Sequence, residues 1–110
     1  LFRRCLTMAT NPRAFERLIW WVVAGTRGGP TRAKIIECLK ERPSNASQLA
    51  ELLDLDYKTI RHHIEFLLEN RFLVRVGGKY GATYFLSPEL ELNYDRFRKI
   101  WEKTGKTKIE

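Results

Sequence analysis

Between positions 57 and 62 the chain reads Tyr57-Lys58-Thr59-Ile60-Arg61-His62, residue types that suit hydrogen bonding to the edges of nucleic-acid bases. Wound into a helix, Lys58, Arg61 and His62 share one side, with Tyr57 and Thr59 at its start. Tyr57, Ile60, Ile64, Leu67 and Leu68 repeat along an apolar face. Arg61 is the first candidate for a guanine contact, since its planar fork can bond O6 and N7 together. Glu65 and Glu69 lie further along the outward side and would repel a phosphate backbone, so only the N-terminal half of the helix suits a groove. The plain alternative is an ordinary solvated helix face.

Three further groups carry charge or chemistry. Lys79 and Tyr80 stand between glycines at the tip of an expected hairpin, with Arg75 on the adjoining strand, and residues 71–88 hold three bases and no acid. This segment is a candidate contact to the minor groove or to phosphate, although turn geometry explains the glycines equally well. Thr31, Arg32 and Lys34 open a helix where free amides and basic side chains coincide, a second candidate phosphate contact. Arg13, Arg17 and Arg27 either do the same or keep a helix soluble. Adjacent His62 and His63 point about 100° apart on a helix and do not readily share a metal ion; with no Cys or third His at ligand spacing, His63 reads as a partly buried structural residue. No metal or cofactor is expected. P-loop, GxGxxG, GxSxG and HExxH patterns are missing, so the chain is not expected to be an enzyme.

Composition sets the frame for these groups. The 110 residues, 44% hydrophobic and 30% charged, suit one small globular domain that buries about 65% of its unfolded surface. Twenty Lys and Arg against thirteen Asp and Glu give a net +7, which favours anionic partners, nucleic acid first. Yet residues 35–70 carry more acids than bases, so a binding surface must come from particular faces rather than from bulk charge. The two cysteines, Cys5 and Cys38, are too few and too far apart for a zinc pattern or a disulfide scaffold, and a cytoplasmic setting is expected. Cys38 reads as a small buried hydrophobe. The longest apolar run, Leu18 to Gly25, falls far short of the roughly 20 residues of a membrane span, so no membrane association is expected. The Thr26-Arg27-Gly28-Gly29-Pro30 stretch after it offers no signal-peptide cleavage site.

Along the chain, residues 1–11 are expected to be a flexible basic N-terminus. Asn11-Pro12 caps a first helix, about 12–25, with Phe15, Leu18, Ile19 and Val22 at helical spacing. Trp20 and Trp21 lie on its other side. A helix apolar nearly all round asks for cover, either from a partner subunit or from the C-terminal helix of the same chain. The Gly28-Gly29-Pro30 break precedes a second helix capped by Thr31, with Ile35, Ile36 and Leu39 inward, ending at Pro43. Asn45-Ala46-Ser47-Gln48 has the form of a capping box for a short third helix with Leu49, Leu52 and Leu53 buried, stopping near Asp54. Asp56 caps the helix over 56–70, with Leu55 and Ile60 at the spacing of a hydrophobic staple. Two β-rich runs, 73–76 and 82–86, flank the glycine-rich turn and make a two-stranded wing over about 75–84. Ser87-Pro88 opens a final helix, 88–103, with Leu90, Tyr94, Phe97, Ile100 and Trp101 in a stripe, and 104–110 is expected to be a flexible tail.

This order of elements is that of a winged helix-turn-helix domain, an α+β fold that is mainly α, with flanking N- and C-terminal helices. From Thr31 to Ser87 the chain resembles ArsR-type transcriptional regulators, in particular the small archaeal winged-helix proteins of that group. The resemblance rests on TRAKIIECLKERPSNASQLAELLDLDYKTIRHHIEFLLENRFLV and on the wing KYGATYFLS, about half the chain. Leu55, Thr59, Ile60, His63, Ile64 and Phe72-Leu73 carry the pattern. Two departures stand out. Many relatives have Gly at position 71, where φ > 0 is often adopted; here Arg71 occupies it, and Asn70 is expected to take over that conformation. Metal-sensing relatives carry a cysteine pair on the helix before the recognition helix, whereas this segment, Gln48 to Asp54, holds no thiol, so no sensor of that design is implied.

The resemblance implies a homodimeric regulator of transcription that binds double-stranded DNA. The expected dimer contacts are Phe15, Leu18, Trp20, Trp21, Phe97, Ile100 and Trp101 on the first and last helices. Two other readings stay open: a winged-helix module that binds protein in the transcription machinery through its tryptophans, and an RNA-binding role of the basic, aromatic wing.

Overall fold

The computed structural model describes residues 12–78 and 81–109. Among these described residues six helices and one hairpin follow in the order α1 (Pro12–Val23), α2 (Gly29–Glu41), α3 (Ala46–Leu53), α4 (Tyr57–Glu69), β1 (Leu73–Val76), β2 (Thr83–Leu86), α5 (Pro88–Leu92) and α6 (Tyr94–Ile109). The fold is a winged helix-turn-helix, helical for the most part with a single antiparallel pair of strands. The expected N-cap Asn11 and the N-terminal segment 1–11 lie outside the described residues.

Helix α2 is the hub: it packs on α1, α3, α4 and β2, while α6 lies against α1 and α5. The core between them is apolar and closed, with Ile19, Val22, Ile35, Ile36, Leu49, Ile60, Ile64, Leu67, Phe72 and Phe97 without exposed surface. Arg98 pairs with Glu37 at 2.9 Å and Lys40 with Glu91 at 2.7 Å, so the rim of α2 is also tied to α5 and α6.

Several local expectations need correction. Helix α2 begins at Gly29 rather than at a Thr31 cap. Gly28 holds the N-cap position without a side-chain bond and Pro30 sits in the first turn, where its fixed φ suits a helix and its missing N–H costs nothing. The two glycines are there for closeness of packing: a Cβ on Gly29 would stand 2.2 Å from the Val23 carbonyl oxygen, and one on Gly28 2.6 Å from Cε1 of His63. Leu52, expected in the core, is 66% exposed. The C-terminal helix is two helices, broken at Asn93, whose side chain donates to the Glu89 carbonyl at 2.8 Å. The second of them stays helical to Ile109, past the expected end at 103.

The hairpin pairs Leu73 with Leu86 and Arg75 with Tyr84. A third backbone segment joins it: the Tyr84 N–H donates to the Ser44 carbonyl at 2.9 Å. A one-residue bridge leaves no periodic signal in the sequence. Gly77 and Gly81 both have positive φ and form the bends of the wing.

The end of α4 also differs from expectation. Arg71 itself adopts the left-handed conformation (φ 63°), not Asn70 (φ −96°). The Arg71 N–H donates to the Leu68 carbonyl at 3.1 Å and the Phe72 N–H to the Leu67 carbonyl at 2.9 Å, the paired bonds that close a helix by a Schellman motif. These bonds fix the left-handed residue one place beyond the cap, and the buried Phe72 ring locks the register. An Arg at that position is strained, because its Cβ crowds the carbonyl. Arg71→Gly is therefore expected to raise stability by about 0.5–1 kcal/mol, net of the added freedom of the unfolded chain. Urea unfolding of the two proteins, compared at equal m-value, measures it.

Candidate nucleic-acid interface

The helix-turn-helix is built by three local devices. The capping box of α3 is complete: the Gln48 N–H donates to Asn45 Oδ1, and the Asn45 N–H donates to Gln48 Oε1, both at 2.8 Å. Asp54 ends α3 in the left-handed conformation. Two residues later Asp56 caps α4, accepting from the Thr59 N–H at 3.1 Å. Both helices thus begin at side-chain oxygens that satisfy otherwise orphaned amides, and the turn between them is closed on the α3 side by the Asp54 backbone N–H, which donates to the carbonyls of Ala50 and Glu51.

These devices bring most of the proposed base-reading residues to one surface. Tyr57, Lys58, Thr59 and His62 are exposed along the first turns of α4. Tyr57, also expected on the apolar face, is 52% exposed and belongs to the surface. The Thr59 hydroxyl lies 3.4 Å from Asp56 Oδ2 as part of the cap. Arg61 is half-buried. Its Nη1 donates to the Tyr84 hydroxyl at 3.3 Å, and its Nη2 to Glu65 Oε2 at 3.4 Å. Between the start of α3, the start of α4 and the wing lies a notch of about 120 Å³, lined by Asn45, Ser47, Tyr57, Arg61, Gly81 and Tyr84 among others. Arg75 is exposed on β1. Lys79 and Tyr80, the expected tip contacts, lie outside the described residues.

The candidate phosphate group at the start of α2 is not assembled as expected. Thr31 is half-buried and Lys34 exposed, but Arg32 is buried. Its Nη1 donates to the Val22 carbonyl at 3.0 Å and to the Thr26 hydroxyl, and its guanidinium lies 4.0 Å over the Phe66 ring. Turned inward to the carbonyl end of α1 and to an aromatic face, Arg32 is a structural cation rather than a phosphate ligand. Burial pulls its pKa below the ordinary guanidinium value. A sequence carries no sign of which way an arginine at a helix start will turn.

Next to it, His63 is buried as expected, with Nδ1 unpartnered among the described residues. Its ring stands edge-on to His62 at 5.6 Å between centroids. Burial first, then the positive fields of Arg32 and His62, lower the pKa of His63. Among the described residues no group of three His, Cys, Asp or Glu is placed to hold a metal ion. Burial and the neighbouring Glu37 and Glu41 raise the Cys38 thiol pKa, which leaves it a poor nucleophile.

The expected dimer residues divide into two sets. Phe15, Phe97 and Ile100 are buried in the chain's own core, because α1 and α6 pack on each other. Trp20 and Trp21 remain 38% and 47% exposed, with Leu18 and Trp101 half-buried. Trp21 rests 5.4 Å from the Phe66 ring of α4, not on the C-terminal helix. No helix among the described residues is long and apolar enough to cross a membrane.

Taken together, the helix-turn-helix, the exposed start of α4 and the adjoining wing define a winged-helix regulator fold. Residues 25–85, more than half of the chain, match the family described as the N-terminal domain of the methanogenesis regulatory protein FilR1, and the chain belongs to that family. Among solved structures, ZitR of Lactococcus lactis in complex with DNA is similar, with a TM-score of 0.55 and 19% identity over 70% of this chain and 55% of ZitR. The chain thus spans about half the length of ZitR. The transcriptional regulator SlyA gives a TM-score of 0.63 at 18% identity, covering 99% of this chain and 78% of SlyA. A probable transcriptional regulator from Pseudomonas aeruginosa gives 0.56 at 24% identity, covering 84% and 76%. At these identities the likeness is one of fold. No curated protein matches the chain.

The His63 arrangement makes a stability prediction. The unfolded chain protonates this imidazole near its ordinary value of 6.5, and the folded chain only at lower pH. The unfolded state therefore binds the extra proton first as pH falls, and the stability that neutral His63 supports, present above pH 6.5, declines as pH drops through the folded value. Urea unfolding between pH 7.5 and 5 is expected to show this decline for the wild type and a shallower one for His63→Gln. Parallel slopes would exclude His63 as the cause.

Proposed function

We propose that this domain is a DNA-binding regulator of transcription, acting in the cytoplasm as a homodimer and lacking catalytic activity. The single observation that carries the reading is the joint exposure of Tyr57, Lys58 and His62 on the first turns of α4, with Arg61 beside them at the edge of a wing region that holds bases and no acid. Such a helix start suits the major groove, where Arg and Lys reach base edges, while a basic hairpin suits the minor groove or the backbone. The ArsR-type resemblance of Thr31 to Ser87 and the fold shared with ZitR, a protein solved with DNA, support the same reading.

In this reading α4 enters the major groove by its N-terminal half, with Arg61, Lys58, His62, Tyr57 and Thr59 nearest the bases. Arg75, Lys79 and Tyr80 lie along the minor groove or backbone, and Thr31 and Lys34 meet phosphate. The dimer forms through the surface left open on α1, Trp20 and Trp21, with Leu18 and Trp101 at its margin. Two copies then address half-sites about 10 base pairs apart. The exposed tryptophans also favour a second reading, a module that binds another protein of the transcription machinery without reading DNA.

Selection of bound fragments from genomic DNA, followed by titration of the enriched duplex against random duplex over a salt series, distinguishes the two. An inverted repeat bound at least about 10³-fold more tightly than random duplex is expected. Binding to no fragment, even at low salt, would overturn the DNA reading and favour the protein-binding one. On the enriched duplex, Arg61→Ala is expected to cost about 1–3 kcal/mol and to relax preference at one position, whereas Lys79→Ala weakens all sequences alike. Equal losses for Arg61→Ala on enriched and random duplex would remove Arg61 from base reading.

A further inference from the structure

The wing carries a residue whose placement bears on what Arg61 can do. Tyr84 is 1% exposed, and its backbone is held twice, by the ladder opposite Arg75 and by the 2.9 Å bond to the Ser44 carbonyl. Its ring is enclosed, yet its hydroxyl reaches the floor of the notch beside α4 and accepts from Arg61 Nη1 at 3.3 Å. Glu65 takes the other end of the same guanidinium at 3.4 Å. A long flexible side chain is thereby held between a post fixed in the sheet and a carboxylate one helical turn away. Those two contacts engage one N–H on each terminal nitrogen, and a guanidinium has five N–H donors, so donors remain for an external acceptor pair.

We propose that Tyr84 is a positioning residue for base reading: its hydroxyl fixes the Arg61 guanidinium at the mouth of the notch and thereby sets selectivity at one base pair without Tyr84 itself touching nucleic acid. The inference rests on the reading of Arg61 as a base-contacting residue. It also gives the Ser44 bridge a purpose, since the bridge locks the strand that carries the hydroxyl and couples the start of α3 to the tip of the reading side chain. A bidentate contact to a guanine edge tolerates little misplacement, so an ordered guanidinium favours the matched base over its competitors, and a free one averages over them.

Tyr84→Phe removes the hydroxyl and leaves the enclosed ring, and thermal unfolding verifies that the fold is kept. The first measurement needs no DNA: ¹⁵N relaxation of the arginine side chains should show the Arg61 guanidinium becoming mobile in Tyr84→Phe while that of Arg98, paired elsewhere, is unchanged. The second uses the enriched duplex and its single-base variants. Tyr84→Phe is expected to lose about three- to tenfold in discrimination at the one position that Arg61→Ala relaxes, the effect of one hydrogen bond. Affinity for random duplex should stay within about twofold, and the double variant should match Arg61→Ala alone. Unchanged Arg61 mobility, unchanged discrimination, or losses that add to those of Arg61→Ala would overturn the proposal. Failure of the DNA reading is recognised separately: the wild type itself would not discriminate among duplexes, and the selectivity role of Tyr84 would fall with it.

Discussion

The buried guanidinium of Arg32 is the contact on which the presentation of α4 depends. It accepts no water-filled surroundings: it is enclosed by the carbonyl end of α1, the Thr26 hydroxyl and the face of Phe66 on α4. A cation removed from water is costly unless its donors find acceptors; here a helix C-terminal carbonyl and a hydroxyl accept from Nη1 and an aromatic face lies against the guanidinium, while the buried Nε–H has no partner among the described residues. Three elements must come together for that to happen. The Gly28-Gly29 approach permits it, because a side chain at either position would push the α1–α2 junction away from Val23 and His63. Arg32 therefore ties α2 to the end of α1 and to the Phe66 face of α4 by packing rather than standing exposed.

From that junction the remaining geometry follows outward. α4 is fixed at its start by Asp56, along its length by Ile60, Ile64 and Leu67, and at its end by the strained closure at Arg71. The wing is fixed to it through Phe72 on one side and through the Tyr84 hydroxyl on the other. Exposed bases thus stand on a rigid frame while the carboxylates Glu65 and Glu69 limit how much of α4 suits an anionic partner. Net charge alone would not produce this surface, since the central part of the chain is acidic on balance.

Much of this was legible in the sequence because caps and periodicity act locally. Asn45 and Gln48 form the box their spacing announced, Asp56 caps α4, and the two β-rich runs pair as a hairpin. Trp20 and Trp21 lie off the buried face of α1, as its wheel implied. What failed depended on contacts distant in sequence. The inward turn of Arg32 requires Val22, Thr26 and Phe66 together; the start of α2 at Gly29 depends on room beneath Val23; the left-handed Arg71 is set by the register of Phe72. Nothing local singles out Tyr84 within its β-rich run, since its hydroxyl meets Arg61 across 23 positions of chain. The resemblance to transcriptional regulators agreed with the family that residues 25–85 match, whereas composition by itself pointed no further than an anionic partner.

The central claim is that the N-terminal half of α4 and the wing together form the nucleic-acid surface. Amide and side-chain NMR of the labelled domain, titrated with an enriched duplex, tests it residue by residue. The account predicts shifts concentrated at residues 57–62 and along 75–84, with the buried Arg32 region and the Trp20–Trp21 side of α1 little changed at constant oligomeric state. Shifts centred on Trp20 and Trp21 with the start of α4 silent would contradict it.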